Sequence, residues 1–412
     1  MTFKKGEHPV VRDAVSPEAL AVTERLAHCG HEAYLVGGAV RDFFLGRTPK
    51  DFDVATDAWP DEIMRMFPGS QMVGQRFRIV HVAVQTEDGM RTVEVATFRA
   101  APARAAGGYQ RDDNTFGTLA TDADRRDFTV NGLYYDPQME TVLDPVGGVR
   151  DIRAGRIRCI GEPNARFRED PVRMIRAVRF AARFGFELTP ETRGGIDACR
   201  ALLVNAPSRR LGMELLGCFR HGCASAVFQM LRDSRLLAEL LPPLSAYLGA
   251  VGTGRFYRLL DAFDAQRDAA KLEPTVCLAV LLALPFREDA RVQGENPKQR
   301  LLKRVVHEAL GERVQFVDVS LSKVASRIRS VRYFDRPVDH PKSARFIDGA
   351  SFGEAVAFTR ILIAAGVISA PDYFDEYEAV CEQSAEAAKP YASGFDGARQ
   401  FSSFMTNGKK RP

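Results

Sequence analysis

The chain has 412 residues, 45% of them hydrophobic and 27% charged. These are ordinary values for a folded protein with material for two or more domains, and they exclude wholesale disorder. Its 57 basic and 53 acidic residues leave a net charge of +4, which excludes an acidic solvating chain and a histone-like polycation alike.

The first residues carry no apolar run of the kind a signal peptide needs. Residues 17–29 read as a helix, Tyr34 to Gly38 as a short strand running into glycines, and Val40 to Leu45 as a helix. Strands are predicted at Asp51–Ala55, Ile79–Gln85 and Arg91–Thr97, rich in Val and Thr, with a helix at 61–67 between them. Past residue 160 the strand signals stop. Helical spacing recurs at 170–184, 190–203, 208–219, 223–232, 255–270, 274–284, 299–310, 318–329, 351–366 and 371–388, with a break at Asp335–Ser343 where two prolines fall. The predicted class is therefore α+β. A mixed sheet with flanking helices over 1–158 is followed by a helical neck at 159–232, an all-α body at 233–389, and a flexible tail at 390–412. The longest apolar run, Cys277–Phe286, is half of what a membrane span needs. Seven irregularly spaced cysteines without a CxxC pattern read as reduced thiols of a cytoplasmic protein. Cys218, His221 and Cys223 come nearest to a metal pattern, and packed helix residues explain them better.

Two local patterns carry chemistry. In Lys50-Asp51-Phe52-Asp53-Val54, alternation on a strand places Asp51 and Asp53 on one face. Two neighbouring carboxylates repel each other, and divalent cations remove that penalty; paired Asp residues are what two Mg2+ ions need for phosphoryl transfer. Glu94, between valines on a predicted strand, is a third candidate carboxylate. Thirteen residues and more before the pair, Gly37 and Gly38 precede a helix, where bare backbone lets a phosphate approach and Arg41 on the first turn adds positive charge. Arg99 is a candidate phosphate or primer contact.

Leu35-Val-Gly-Gly-Ala-Val-Arg-Asp42 followed by Lys50-Asp-Phe-Asp-Val-Ala-Thr56 resembles the head of the class II nucleotidyltransferases of the polymerase β superfamily, the family of tRNA CCA-adding enzymes and bacterial poly(A) polymerases. Arg125-Arg-Asp-Phe-Thr-Val-Asn131, Leu143-Asp-Pro-Val-Gly-Gly148 and Glu169-Asp-Pro-Val-Arg-Met-Ile-Arg-Ala177 match further motifs in the family order. The resemblance is dense over 33–190 and faint beyond about 245. It implies that Asp51 and Asp53 bind catalytic metals, with Glu94 beside them. Gly37, Gly38 and Arg41 would hold the triphosphate, and Arg125, Arg126 and Asp127 the ribose and phosphates. Glu169, Asp170 and Arg173 would read the base edge, with Arg176 on the same helix face. Arg209, Arg210 and Glu214 match a supporting helix loosely.

Each motif also has a plainer reading. Asp170 before Pro171 is a common helix start, and Glu169 with Arg173 is an ordinary ion-pair spacing. Between 156 and 183 eight arginines face three acids, a local +5 that exceeds the charge of the whole chain. That excess suits a triphosphate and an RNA backbone, or else internal ion pairs.

Met72-Val-Gly-Gln-Arg-Phe-Arg-Ile-Val-His-Val82, Asp113-Asn-Thr-Phe-Gly117 and Asn131-Gly-Leu-Tyr-Tyr135 resemble the poly(A) branch, with Gln75 a departure where a basic residue is usual. The expectation is a polynucleotide adenylyltransferase that adds AMP from ATP to RNA 3′ ends with two Mg2+ ions. A tRNA CCA-adding enzyme is the alternative and a catalytically idle RNA-binding module a remote one. No membrane partner is expected, and a monomer is compatible with the reading.

Overall fold

Ser16 opens the first helix by capping it: its Oγ accepts from the Ala19 amide at 3.2 Å, with Pro17 in the first turn, where its missing N–H costs nothing. The computed structural model describes residues 1–74, 78–86, 89–100, 115–266, 272–292, 298–317 and 319–388. These form two units, one of Met1–Arg173 with Phe184–Cys199, the other of Met174–Arg183 with the described residues from Arg200 onward.

The first unit contains, in chain order, β1 (Thr2–Phe3), α1 (Pro17–His28), β2 (Ala33–Val36), α2 (Gly38–Phe44), β3 (Asp53–Thr56), α3 (Pro60–Met66), β4 (Gln71–Val73), β5 (Ile79–Thr86), β6 (Gly89–Thr97), α4 (Leu119–Arg125), β7 (Tyr134–Asp136), β8 (Thr141–Leu143), α5 (Gly148–Arg153), β9 (Arg156–Ile157), α6 (Pro163–Glu169), the first turn of α7 (Val172–Phe184), β10 (Glu187–Leu188) and α8 (Pro190–Cys199). Eight strands make one mixed sheet in the order β1-β8-β7-β2-β3-β6-β5-β4. The β3–β6 pair is parallel and its other pairs are antiparallel. Val54, Val80, Val82, Val93 and Val95 are buried in it, and each contributes about 1.5–3 kcal/mol through burial.

Three sequence expectations change. β3 begins at Asp53, so Asp51 lies before the strand and the two aspartates are not alternate residues of one strand face. β10 is a strand beyond residue 160, pairing in parallel with β9 through Glu187↔Arg156 and Leu188↔Ile157; two residues are too short a run to show periodicity. Helices α4, α5 and α6 were not expected; each has seven residues or fewer, too few to show a clear period.

The Leu143-Asp-Pro-Val-Gly-Gly148 motif has a structural use. The buried Asp144 carboxylate accepts from the amides of Gly148 at 2.7 Å and Val149 at 3.0 Å, satisfying the start of α5. Gly147 adopts φ +80°, and a Cβ on Gly148 would collide with the Thr129 backbone carbonyl. The motif is thus pressed against the Arg125–Asn131 segment. Thr129 Oγ1 donates to Asp151 Oδ2 at 2.6 Å, and Arg158 Nε donates to the same oxygen at 2.7 Å.

The second unit holds the rest of α7, then α9 (Ser208–Gly217), α10 (Ala224–Asp233), α11 (Leu236–Leu240), α12 (Pro242–Val251), α13 (Gly254–Asp264), α14 (Pro274–Glu288), α15 (Gln299–Leu310), α16 (Leu321–Arg329), α17 (Pro341–Ile347), α18 (Phe352–Ala364) and α19 (Phe374–Ala388). Of these, α11, α12 and α17 were not expected, and all but α12 have seven residues or fewer. The run expected at 255–270 is described as helix only to Asp264, and the expected tail lies outside the described residues. α14 is buried almost all round, which its composition requires. Phe334, Phe352, Phe374 and Tyr377 pack one aromatic cluster, with Tyr377 Oη hydrogen-bonded to Ser343 Oγ at 2.6 Å. Among the described residues no helix is long and apolar enough to cross a membrane.

Replacing Gly148 by alanine forces α5 away from Thr129. A loss of about 1–3 kcal/mol is expected, measured by urea unfolding; an unchanged midpoint would show that this close approach is not needed.

Candidate active site

Strand register brings the carboxylates together. In the parallel β3–β6 ladder Val54 stands opposite Val95, so the preceding residues, Asp53 and Glu94, become neighbours at one end of the two strands. On the other side Asp53 pairs with Val36, the residue before Gly37. Water reaches Asp53 although protein surrounds it on most sides. Burial, then the Glu94 charge, and in smaller part Asp51, push its carboxyl up to about 6, while Arg126 works in the opposite direction. Glu94 is also raised, by burial and by Asp51. Across the β5–β6 ladder His81 faces Glu94 in register, Nε2 to Oε1 3.5 Å. Burial lowers the His81 pKa, so at neutral pH this is a contact with a neutral imidazole.

Among the described residues no three carboxylate, imidazole or thiol side chains are arranged to hold a metal ion. Two aspartates with a third carboxylate nearby nonetheless fit Mg2+. The ion binds through one or two carboxylates, with substrate phosphates and water completing its shell. Burial, and after it the repulsion between these carboxylates, raises Asp53 and Glu94, and a bound cation would relieve that penalty.

The opposing charge is Arg126. Its Nε and Nη2 donate to Asp122 Oδ2 at 3.1 and 3.0 Å, and its Nε also donates to Tyr134 Oη at 2.9 Å. Tyr134 donates onward to Asp122 Oδ2 at 2.7 Å, and its ring lies 4.9 Å from the Arg126 guanidinium carbon. Asp122 and Tyr134 are buried. Asp122 Oδ1 also accepts the Arg99 amide at 3.3 Å. Burial alone would lower the Arg126 pKa, but Tyr134 and Asp122 raise it, so the charge is permanent. Gly37, at φ +64°, passes so close that a Cβ there would lie 3.2 Å from Arg126 Nη1. This turn is where glycine is needed twice, for conformation and for space.

Arg41 is buried at 4% exposure. Its Nη1 donates to Asn131 Oδ1 at 2.5 Å, its Nε and Nη2 donate to Asp42 Oδ1 at 2.9 and 2.7 Å, and its guanidinium carbon sits 4.6 Å from the Phe184 ring centroid. It braces the glycine turn: a Cβ on Gly38 would stand 3.5 Å from Arg41 Nη2. Asp127 Oδ1 accepts from the Phe128 amide at 2.8 Å and from Asn131 Nδ2 at 2.9 Å. Arg125 Nη1 donates to the Ala100 carbonyl at 2.7 Å.

Glu169 closes α6 and Arg173 opens α7. Glu169 Oε2 accepts from Arg173 Nη1 at 2.7 Å and from Arg166 Nη1 at 2.5 Å. Burial would raise the Glu169 pKa, but the hydrogen bond and charge of Arg173, with Arg166 and Arg125, hold it below the usual carboxylate range. Arg166 Nη2 donates to the carbonyls of Arg125 and, at 2.8 Å, Arg126. The Glu169–Arg173 pair is therefore tied to the Arg125-Arg126 backbone. Asp170 Oδ1 accepts the Val172 amide at 3.3 Å, the capping use its sequence context suggested. Arg176 belongs to the second unit, where it and Arg179 face Glu214 at 3.4 and 2.9 Å. At least five of the eight arginines of this stretch thus have an acidic partner within their own unit, but of these partners only Asp151 and Glu214 come from outside the stretch, so most of the local excess stays. Arg158 pairs with Asp151, Arg166 and Arg173 with Glu169, and Arg176 and Arg179 with Glu214.

Sequence reading missed Asp122, Tyr134, Asn131 and Arg166 as site residues. Asp122 lies four residues before Arg126, an ion-pair spacing on a helix, and was findable. Tyr134 and Arg166 become relevant only through tertiary contact. Among the stretches that suggested the poly(A) branch, Gln75–Phe77, Asp113 and Asn114 lie outside the described residues. A double-mutant cycle tests the Arg126 support. Tyr134→Phe and Asp122→Asn should each destabilise the protein, with a coupling energy of about 1 kcal/mol or more in chemical unfolding. Strict additivity would dissolve the network.

Residues 33–158 match the family model of the Poly A polymerase head domain, and residues 185–248 that of the Probable RNA and SrmB-binding site of polymerase A. Poly(A) polymerase I of Salmonella typhi is 39% identical over 302 residues, 70% of this chain and 64% of that protein. This chain therefore spans somewhat less than two thirds of the length of that relative. The CCA-adding enzyme of Geobacillus stearothermophilus is 37% identical over 298 residues, 71% of this chain and 68% of that protein. The crystal structure of the Bacillus stearothermophilus CCA-adding enzyme in complex with CTP superposes with a TM-score of 0.63 and 28% identity, covering 90% of this chain and 83% of that one. The Thermotoga maritima CCA-adding enzyme complexed with tRNA shares the fold, at TM-score 0.54 and 19% identity. By its sequence, its carboxylate-bearing sheet and its helical second unit, the chain belongs to the nucleotidyltransferase family of bacterial poly(A) polymerases and CCA-adding enzymes.

Proposed function

We propose that the protein is a template-independent RNA 3′-end nucleotidyltransferase that adds AMP from ATP, a bacterial-type poly(A) polymerase working in the cytoplasm. The observation that carries the chemistry is the convergence of Asp53, Glu94 and Asp51 beside the Arg126 guanidinium and the Gly37 turn. In the reaction the RNA 3′-oxygen forms a bond to the α-phosphorus of the nucleotide, the bond from that phosphorus to the bridging oxygen breaks, and pyrophosphate leaves as the hydroxyl proton is lost.

Asp51 and Asp53 would hold Mg2+, with Glu94 adding negative charge beside them. When bound, the metal ions supply activation of the attacking hydroxyl and compensation of charge on the leaving group. Arg126, fixed by Asp122 and Tyr134, offers a cation that needs no reorganisation when charge develops on the phosphates. The glycine turn lets the triphosphate approach the backbone, and Arg41 holds that turn from behind through Asn131. Arg125 and Asp127 flank the ribose and phosphate position. Arg173, oriented by Glu169, presents donors to the base edge, and Asp170 sets the helix start from which Arg173 projects. Arg176 supports this helix through Glu214.

The poly(A) reading draws on the Met72–Val82 and Asn131–Tyr135 stretches and on the poly(A) polymerase relatives. CCA addition to tRNA is the second reading, favoured by the likeness to the CTP-bound CCA-adding enzyme. An idle RNA-binding module would have no use for a strained carboxylate cluster. Primer extension with Mg2+ decides among them. A ladder from ATP alone on generic RNA is expected; addition that stops after CCA on truncated tRNA selects the second reading, and RNA binding without any incorporation selects the third. Asp53→Ala should abolish incorporation while leaving RNA binding largely intact, and comparable activity in that variant would remove the metal assignment. Arg173→Ala should lower the preference for ATP over CTP by about tenfold or more, since a hydrogen bond to a charged donor is worth about 1.5–3 kcal/mol. Unchanged selectivity would place base reading elsewhere.

A further inference from the structure

Within the second unit, charge is segregated between two helices. From Lys298 through His307 the chain carries Lys298, Arg300, Lys303 and Arg304 and no acid, whereas α19 carries Asp375, Glu376, Glu378, Glu382 and Glu386 and no base. Leu302, Val305, Val306 and Leu310 are the buried side of α15. Successive residues on a helix turn by 100°, so Lys303, His307, Arg300 and Arg304 occupy one arc of about 100° opposite that side, over two turns or about 11 Å. Lys298, Arg300, Lys303, Arg304 and His307 are all exposed. Among the described residues the side chains of Lys298, Arg300 and Lys303 make no ion pair, and Arg304 has only a 3.8 Å approach to Glu308, which Arg291 holds more tightly at 2.8 Å.

A neighbouring helix extends the stripe. Gln299 Nε2 donates to the Ser322 carbonyl at 3.2 Å and to Ser326 Oγ at 3.4 Å, locking the start of α15 to α16. Lys303, one turn beyond Gln299, and the exposed Lys323, between the two serines in sequence, flank this contact. Lys298 and Arg300 also sit at the N-terminal end of α15, where the helix dipole adds to their positive potential. Buried ion pairs elsewhere show that this chain compensates arginines where it needs them compensated; here it leaves a row of cations open to solvent.

We infer that the α15 face, with Lys323 of α16, is a docking track for the phosphate backbone of the RNA substrate upstream of its 3′ end. It lies outside residues 185–248, to which the matched RNA-binding family model extends. Spaced point charges without aromatic side chains among them attract phosphates and read no bases. The track therefore suits an enzyme acting on many sequences, and the acidic α19 repels the same polymer and restricts where it lies. The inference rests on the proposed RNA substrate.

The test is the triple variant Arg300→Ala, Lys303→Ala and Arg304→Ala in the full chain. All three sites are exposed helix positions, where alanine favours the helix. Binding of a long unstructured RNA and of a primer of a few nucleotides is measured over a range of salt. Affinity for the long RNA should fall about tenfold or more at low salt, and the slope of log K against log salt should flatten by about 2 units, given about 0.7 per single-strand phosphate contact. The initial rate of nucleotide addition to the short primer should stay the same. Asp375→Asn with Glu376→Gln on α19 is the control for overall charge. If it strengthens long-RNA binding as much as the triple variant weakens it, the effect is one of net charge and the track is overturned. Unchanged long-RNA affinity and slope in the triple variant overturn it too, and leave the face to an acidic protein or to solvent. Absence of nucleotide addition by the unaltered protein would instead strike the proposed function, while the binding comparison still reads the track.

Discussion

Arg126 sits between two buried acceptors, Asp122 and Tyr134, and next to carboxylates whose own repulsion raises the pKa of Asp53. The charge of Arg126 is therefore fixed in place before any ligand arrives. Its guanidinium crowds the Gly37 turn, where a Cβ would stand 3.2 Å from Nη1 and the positive φ favours glycine. Several elements support Arg126. β7 brings Tyr134, α4 brings Asp122, and Arg166 of α6 holds the carbonyls of Arg125 and Arg126. The first unit is organised as a support for one cation and the carboxylates whose charge it offsets.

That arrangement gives the recurring motifs a division of labour. Asp144 caps α5, and Gly148 lets that helix press against Thr129, within the Arg125–Asn131 segment. Arg41 braces the glycine turn from the buried side through Asn131. Glu169 serves two arginines at once. One is Arg173, and the other, Arg166, reaches back to the segment that carries Arg126. The Glu169–Arg173 pair and the Arg125-Arg126 segment thus share a hydrogen-bonded frame, so a disturbance of one is felt at the other.

The second unit handles charge in two ways. Arg176 and Arg179 share Glu214, so two arginines of the arginine-rich stretch have an acidic partner in this unit. On α15 the exposed Arg300 and Lys303 make no ion pair among the described residues, and Glu308 is held mainly by Arg291. The total of +4 for the chain hides this contrast, since α19 alone offsets the excess of α15. Long-range attraction for a polyanion depends on where uncompensated charge lies, more than on the sum.

The sequence by itself determined the fold class, the order of motifs and the carboxylate and glycine positions. Those follow from local rules: side-chain periodicity, the conformational freedom of glycine and the pairing of like charges with metal chemistry. It also located the capping role of Asp170. Only the tertiary structure decided that Asp53 is neighboured by Glu94 rather than aligned with Asp51 on one strand, because parallel register between strands 40 residues apart is set by packing and not by local spacing. Nor could periodicity show that Tyr134 and Asp122 hold Arg126, or which arginines of the 156–183 stretch are compensated. A sequence counts charges, but whether a charge is paired depends on which distant carboxylate folding brings within reach.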